Sequence, residues 1–185
     1  MTGHDAVKYP YDQIIAIDKK NDASGVSGGF ASIIFFNQTY EREMQLKKMA
    51  LGGNVDAAFY WGLYNFNRGV EFHATARRQT DPKQIAFFQS AADDHFADAM
   101  TGLRTSSKAG YGDSSYNIAQ MYQNGFGVPQ TKLAAAEWYA KAGSQYLRQG
   151  LREVSLSALE RAEAIDPKIP EVVALRAQLF PQIKK

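Results

Sequence analysis

A helical hairpin between Gly110 and Gly143 is the sequence feature that most constrains the fold of this chain. Ser114, Ile118 and Tyr122 recur at the spacing of one helix face, and the segment NGFGVPQ that follows holds two glycines and a proline, which end a helix. The next segment, LAAAEWYAKAG, is rich in helix formers and repeats its aromatic and small residues at helical spacing. The sequence therefore predicts two helices that pack against each other across a short turn.

The residues of this hairpin also carry a family resemblance. The segments YNIA (116–119), NGFGVP (124–129) and AEWYAKA (136–142) resemble the Sel-one-like repeat, a helical-hairpin relative of the tetratricopeptide repeat. Ser114, Ala119 and Gly143 depart from the usual residues but remain small. The resemblance implies an all-α fold, a short α-solenoid of helical hairpins, and it indicates a bacterial protein.

Weaker copies of the repeat flank this hairpin. Residues 53–69 match its first helix, with Gly53 aligned to Gly110. We interpret 71–80 as an insertion in the turn that follows. Asp81 is then predicted to be the N-cap of a helix, and Pro82 its first residue, because aspartate and proline are favoured at these positions. In the helix they begin, we align Phe87-Phe88 and Ala91-Ala92 with Trp138-Tyr139 and Ala142-Gly143, and we predict one more short helix over 93–110.

The C-terminal part is similar to a tetratricopeptide repeat between Glu137 and Pro167. This range overlaps the end of the hairpin at Gly110–Gly143. The overlap predicts that the helix beginning near Leu133 continues unbroken to about Gln149 and belongs to two repeats. Pro170 then begins a final helix, through Phe180, that caps the stack. Residues 53–185 are therefore predicted to form the repeat domain.

Residues 1–52 are predicted to form an irregular N-terminal extension with one helix that packs on the solenoid. We expect that helix at 30–51, ended by Gly52 and Gly53, although its early β-branched and aromatic residues are also compatible with a strand before a shorter helix. The apolar run 13–20 fits either a short helix or a short strand. The glycine-containing segment 21–29 lacks the motif of a phosphate-binding loop, so we interpret it as a linker.

Composition excludes several classes of function. The formal net charge is +2, from 21 basic and 19 acidic residues that are spread along the chain, so the sequence predicts no nucleic-acid partner. The absence of cysteine excludes disulfides and thiol chemistry. No apolar run is long enough for a membrane span, and the polar start does not resemble a secretory signal. We expect the bacterial periplasm or envelope if a leader once preceded this chain, and the cytoplasm otherwise.

The sequence contains one candidate metal site and none of the familiar catalytic motifs. Asp94, His95 and Asp98 are close enough along a helix to suggest a metal site, but their spacing matches no specific zinc or calcium pattern. We therefore prefer to interpret them as the start of a solvated helix, where acidic residues are favoured in the first turn. The motifs of serine hydrolases and zinc proteases do not occur. We therefore predict a protein that is not an enzyme and that uses neither a cofactor nor a metal.

A protein-binding surface is the remaining prediction. By the repeat resemblance, the first helices of successive hairpins line a concave groove, with aromatic anchors and a polar rim suited to a peptide or helix of another protein. The residues predicted there are Asp56, Phe59, Leu63, Phe66, Asn67, Asp113, Tyr116, Gln120, Gln123 and Asn124. The alternative is that the helix at 30–51 fills the groove and makes these residues part of the core.

Three functions follow from this interpretation. The most specific is that of a bacterial immunity-type protein, which binds a secreted toxic effector and neutralises it, because small members of the repeat family resemble such proteins. The alternative is a scaffold or adaptor in a bacterial envelope or secretion assembly. A hydrolase built on acidic residues such as Asp56 and Asp113 is the third hypothesis, because carboxylate pairs are not recognisable from sequence spacing.

Overall fold

A computed structural model describes residues 41–181 of the chain. This part of the protein forms seven helices and no strand, which confirms the predicted all-α class. The helices are α1 (41–51), α2 (Val55–Ala76), α3 (Pro82–Lys108), α4 (Gly112–Asn124), α5 (Lys132–Arg148), α6 (Arg152–Ile165) and α7 (Pro170–Leu179). Consecutive helices pack against each other in chain order, and α5 also contacts α7, so the hairpins stack as a short α-solenoid. The first residues of the predicted N-terminal extension, its segments 13–20 and 21–29 and the first part of the helix predicted at 30–51 lie outside the described residues.

Three glycines mark the beginnings of the repeating units. Gly53, Gly110 and Gly150 have φ angles of 92°, 104° and 77°, in the left-handed region that favours glycine. The residue after each glycine donates its N–H to the carbonyl five residues earlier: Asn54 to Met49 at 3.0 Å, Tyr111 to Ser106 at 3.2 Å, and Leu151 to Tyr146 at 2.9 Å. The helices α2, α4 and α6 each begin two residues after their glycine. We call them the first helices of the three hairpins.

The α2–α3 hairpin is closed by glycines on both helices. A Cβ atom on Gly102 would lie 2.5 Å from the carbonyl oxygen of Ala58, and one on Gly62 would lie 2.7 Å from the backbone nitrogen of Leu103. The two backbones therefore approach more closely than any larger residue permits. Gly143 of α5 instead makes room for the next hairpin, since a Cβ atom there would lie 2.3 Å from Cδ2 of Leu175 on α7.

The turn between α4 and α5 packs against the preceding hairpin. The ring of Phe126 stacks on the ring of Phe96 with centroids 5.0 Å apart. A Cβ atom on Gly127 would lie 2.4 Å from Cβ of Phe96. Phe96 is buried together with Leu103, Ile118 and other residues of α3 and α4. The NGFGVP motif thus joins two neighbouring hairpins as well as two helices.

Hydrogen-bonded polar side chains fix the register of α3, α4 and α5. Ser106 Oγ lies 2.7 Å from Ser114 Oγ, and Ser107 Oγ lies 2.7 Å from Ser115 Oγ. Gln145 accepts from Ser115 Oγ at 2.5 Å and donates to the carbonyl of Ser107 at 2.7 Å. All five side chains are buried, so each needs its partner in this arrangement.

Two predictions about the first hairpin are wrong. Residues 71–76 are not an insertion, because α2 continues through Ala76, with the rings of Phe72 and His95 stacked 5.4 Å apart. Residues 93–108 are not a separate short helix, because α3 runs unbroken from Pro82 to Lys108. Phe87 is 66% exposed, whereas Phe96, nine residues further along the same helix, is buried in the core.

Other helices begin and end where the sequence predicts. Asp81 caps α3 by accepting from the N–H of Lys83 at 2.9 Å, and Pro82 is its first residue. The helix predicted to run from near Leu133 to about Gln149 is continuous from Lys132 to Arg148. The final helix begins at Pro170 as predicted.

The helix α1 packs on the first hairpin. Leu46 and Ala50 are buried against Ala57, Ala58 and Trp61 of α2. Lys47 Nζ forms an ion pair with Asp98 of α3 at 3.1 Å. Residues 41–51 thus cover one side of the α2–α3 hairpin.

Candidate functional site

The ten residues predicted to bind a partner lie on two first helices, α2 and α4. Their positions correspond: Asp56 and Asp113 each follow the turn glycine by three residues, and Phe59 and Tyr116 follow it by six. Nine of the ten keep some exposure. Asn67, Asp113, Gln123 and Asn124 are exposed, and Asp56, Phe59, Leu63, Tyr116 and Gln120 are half-buried. We call these nine residues the first-helix face.

Phe66 does not belong to this face. Its side chain is 8% exposed, and its ring centroid lies 6.5 Å from that of Phe96 and 6.3 Å from that of Phe126. Because the turn between α4 and α5 covers it, Phe66 is a core residue that joins two hairpins. Its equivalent on α4, Gln123, is exposed.

The end of the face nearest the turn glycines is organised around Tyr111. This tyrosine is the N-cap residue of α4, its hydroxyl donates to the carboxylate of Asp56, and its ring lies 5.2 Å from that of Phe59. Burial raises the pKa of Tyr111, and the hydrogen bond to Asp56 raises that pKa further. Tyr111 therefore remains a protonated donor that orients the carboxylate and joins α2 to α4.

The corresponding carboxylate on α4 has the same kind of partner. Tyr146 of α5 donates its hydroxyl to Asp113 at 2.6 Å. Burial raises the pKa of Tyr146, and the hydrogen bond and charge of Asp113 add to that effect. Two successive hairpins thus present a tyrosine-bound carboxylate at the same position.

Aromatic and amide side chains continue the face along α4. Tyr116 packs edge-on against Tyr139 at 5.1 Å between centroids, and the guanidinium of Arg161 on α6 lies 5.5 Å from the Tyr116 ring. Gln123 accepts from the hydroxyl of Tyr139 at 2.6 Å. Asn124 donates to the carbonyl of Gln120 at 2.9 Å. These contacts hold the polar side chains in place on one side of the helix.

Asp94, His95 and Asp98 do not converge on a common point. Nδ1 of His95 lies 2.8 Å from Oδ1 of Asn65, and Asp98 pairs with Lys47. Burial lowers the pKa of His95, and the nearby charge of Arg68 lowers it further. Between residues 41 and 181 no group of three or more histidine and acidic side chains is arranged to hold a metal ion.

Four surface cavities lie away from the first-helix face. Four cavities of about 430 to 510 Å³ are lined by none of the ten predicted residues. One of about 480 Å³ lies between α5 and α7, with Trp138, Lys141 and Arg148 in its wall. Sequence reasoning missed this place, although the spacing of Lys141, Ser144 and Arg148 along one side of a helix is a signal for it.

Within residues 41–181, no helix combines the length and the apolar composition that crossing a membrane requires. Comparisons of the chain with protein-family models, with curated proteins and with solved structures give no match. The resemblance to the Sel-one-like repeat therefore stays a prediction from the hairpin residues themselves.

Proposed function

We propose that this protein is a non-enzymatic protein-binding module and that it binds its partner through the first-helix face. The observation that supports the proposal is the correspondence between α2 and α4. Both helices present a tyrosine-bound carboxylate followed one turn later by a half-buried aromatic ring, Phe59 or Tyr116. A repeated pattern of anchored polar groups beside aromatic rings suits a partner segment that lies across successive hairpins.

Rigidity of the face favours binding over catalysis. The polar groups of Asp56, Asp113 and Gln123 are oriented by hydrogen bonds from tyrosines, so less conformational entropy is lost when a partner docks. The same hydrogen bonds engage one oxygen of each of the carboxylates, Asp56 and Asp113, that the hydrolase hypothesis requires.

Within this class we propose the immunity role, in which the partner is a toxic effector that the module holds inactive. The scaffold role in an envelope or secretion assembly is the alternative, and the partner's own activity distinguishes them. A partner that kills or arrests cells when it is expressed without this chain, and is harmless with it, supports immunity. A partner without toxicity contradicts it.

The test uses affinity capture with tagged protein, followed by calorimetric titration of the purified partner. The variant Leu63→Lys/Gln120→Lys places two charges in the middle of the face, at half-buried positions. The control Gln84→Lys/Phe87→Lys adds the same charge at exposed positions on α3. We expect the face variant to weaken binding at least about tenfold, because truncated or blocked anchors at an interface centre dominate its affinity.

Equal affinities for both variants would contradict the proposed face. Helical circular dichroism and the melting temperature of each variant exclude loss of folding as the reason for lost binding.

A further inference from the structure

Four basic side chains lie on α3 and α5, and none of them belongs to the first-helix face. Arg104 and Lys108 are one helical turn apart on α3, and Lys141 and Arg148 are two turns apart on α5. Each pair therefore lines one side of its helix. All four residues are exposed. We call them the basic surface.

The packing of α5 beside the end of α3 brings the two basic pairs together. Gln145 of α5 donates to the carbonyl of Ser107 at 2.7 Å, and Gln149 donates to the carbonyl of Gly110 at 2.9 Å, so the two basic residues of α5 lie beside the end of α3. Partial burial lowers the pKa of Lys141, and the charges of Arg104, Lys108 and Arg148 lower it further. In the described part of the chain, no carboxylate forms an ion pair with any of the four. Arg104 instead donates to the hydroxyl of Tyr122 at 3.1 Å. Within residues 41–181, the surface thus concentrates four positive charges that form no ion pair.

An apolar recess adjoins these charges. The cavity of about 480 Å³ between α5 and α7 contains Lys141 and Arg148 together with Trp138 and Ala174. The ammonium of Lys141 lies 4.3 Å from the centroid of the Trp138 ring. Glu137 and Glu171 also line the cavity. The recess therefore offers an aromatic wall beside cations, with acidic side chains at two places.

We propose that the basic surface binds an acidic segment of a partner protein, with carboxylates at the four cations and one apolar side chain against Trp138. Charge complementarity favours this occupant. A nucleic acid fits less well, because Glu137 and Glu171 would repel an evenly spaced phosphate backbone, whereas a peptide can place neutral residues opposite them. The modest net charge of +2 also lacks the excess of a nucleic-acid-binding chain.

The proposal concerns a surface different from the first-helix face, so either can fail without the other. The test is fluorescence anisotropy with a labelled nonapeptide of glutamates around a central leucine. The comparison probes are the same peptide with serine in place of glutamate and a short single-stranded oligothymidylate.

Charge reversal at the surface provides the decisive variant. We expect Lys141→Glu/Arg148→Glu to weaken binding of the acidic peptide at least about tenfold, because it replaces attraction with repulsion at two of the four cations. The control Arg78→Glu/Lys83→Glu makes the same change in net charge at exposed positions elsewhere and should alter the affinity by less than about twofold. All four positions are exposed, so we expect unchanged circular dichroism.

Three results would overturn the proposal. One is that the acidic peptide binds no better than the serine peptide. Another is that both charge reversals weaken binding equally, which indicates attraction to net charge alone. The third is tighter binding of oligothymidylate than of the acidic peptide, which assigns the surface to nucleic acid.

Discussion

Tyrosine hydroxyls organise the polar side chains of this protein. Tyr111 and Tyr146 donate to Asp56 and Asp113, and Tyr139 donates to Gln123. Burial raises the pKa of all three tyrosines. Because each hydroxyl is held in its protonated form, the same residues that orient the first-helix face also make the folded state sensitive to alkali.

We expect Tyr146→Phe to flatten the loss of stability at high pH. A tyrosine pKa that is raised in the folded state contributes stability fully below its unfolded value of about 10, and that stability is lost as the pH rises towards the folded pKa. The limiting loss is about 1.4 kcal/mol per pH unit for each tyrosine, reduced where water screens the hydroxyl. Melting temperatures between pH 8 and 11 measure the effect, and identical slopes for variant and wild type would contradict it.

His95 makes the stability of the folded protein depend on pH in the opposite direction. Its pKa is lowered by burial and then by Arg68, so protonation is less favourable in the folded protein than in the unfolded chain. Stability should therefore fall as the pH drops below about 6.5 towards the folded pKa. We expect His95→Gln to reduce the difference in melting temperature between pH 7 and pH 5.5. A difference as large as that of wild type would show that other groups account for the acid sensitivity.

At the scale of the helix, close packing depends on glycines that face neighbouring backbones. Gly102 meets the carbonyl oxygen of Ala58 and the backbone of Gly62. Gly62 of α2 corresponds in repeat register to Ala119 of α4, so it is the α2–α3 hairpin in which a glycine at this position meets a glycine on the second helix.

We expect Gly102→Ala to lower the free energy of unfolding by about 1 to 3 kcal/mol, because the two helices must separate to admit a methyl group. Alanine is intrinsically the better helix former by about 1 kcal/mol, so any loss has a steric origin. Ser90→Ala, at an exposed position on the same helix, is the control and should change stability by only a few tenths of a kcal/mol. Urea denaturation measures both variants, and a stabilised Gly102→Ala protein would contradict the close approach.

Local sequence signals predicted most helix ends, but they did not predict contacts between distant residues. The Asp81-Pro82 start and the NGFGVP turn were predicted because their residue types determine backbone conformation locally. The region 71–80 was misread because its helical turns are stabilised by contacts from α3, such as Phe88 and His95 against Phe72. The prediction that Phe66 lies on the binding face was wrong for a similar reason. Phe126 covers Phe66 only because two hairpins stack, and the local sequence does not reveal that contact.

At the scale of the whole molecule, the two proposed binding surfaces lie on different helices. The first-helix face lies on α2 and α4, and the basic surface lies on α3 and α5. The first was predicted from repeat register, because equivalent positions recur after each turn glycine. The second was not predicted, because the basic residues of α3 and α5 come together only where Gln145 and Gln149 of the next hairpin bond to the carbonyls of Ser107 and Gly110.

The most direct test of the protein-binding account is site-specific photocrosslinking in the complex with the captured partner. Benzoylphenylalanine at position 63 or 120 reports contacts of the first-helix face, and the same group at position 87 reports an exposed site outside both surfaces. We expect crosslinks to one partner from positions 63 and 120 and none from position 87. Crosslinks from position 87 alone, or equally from all three positions, would contradict the claim that the first-helix face binds the partner.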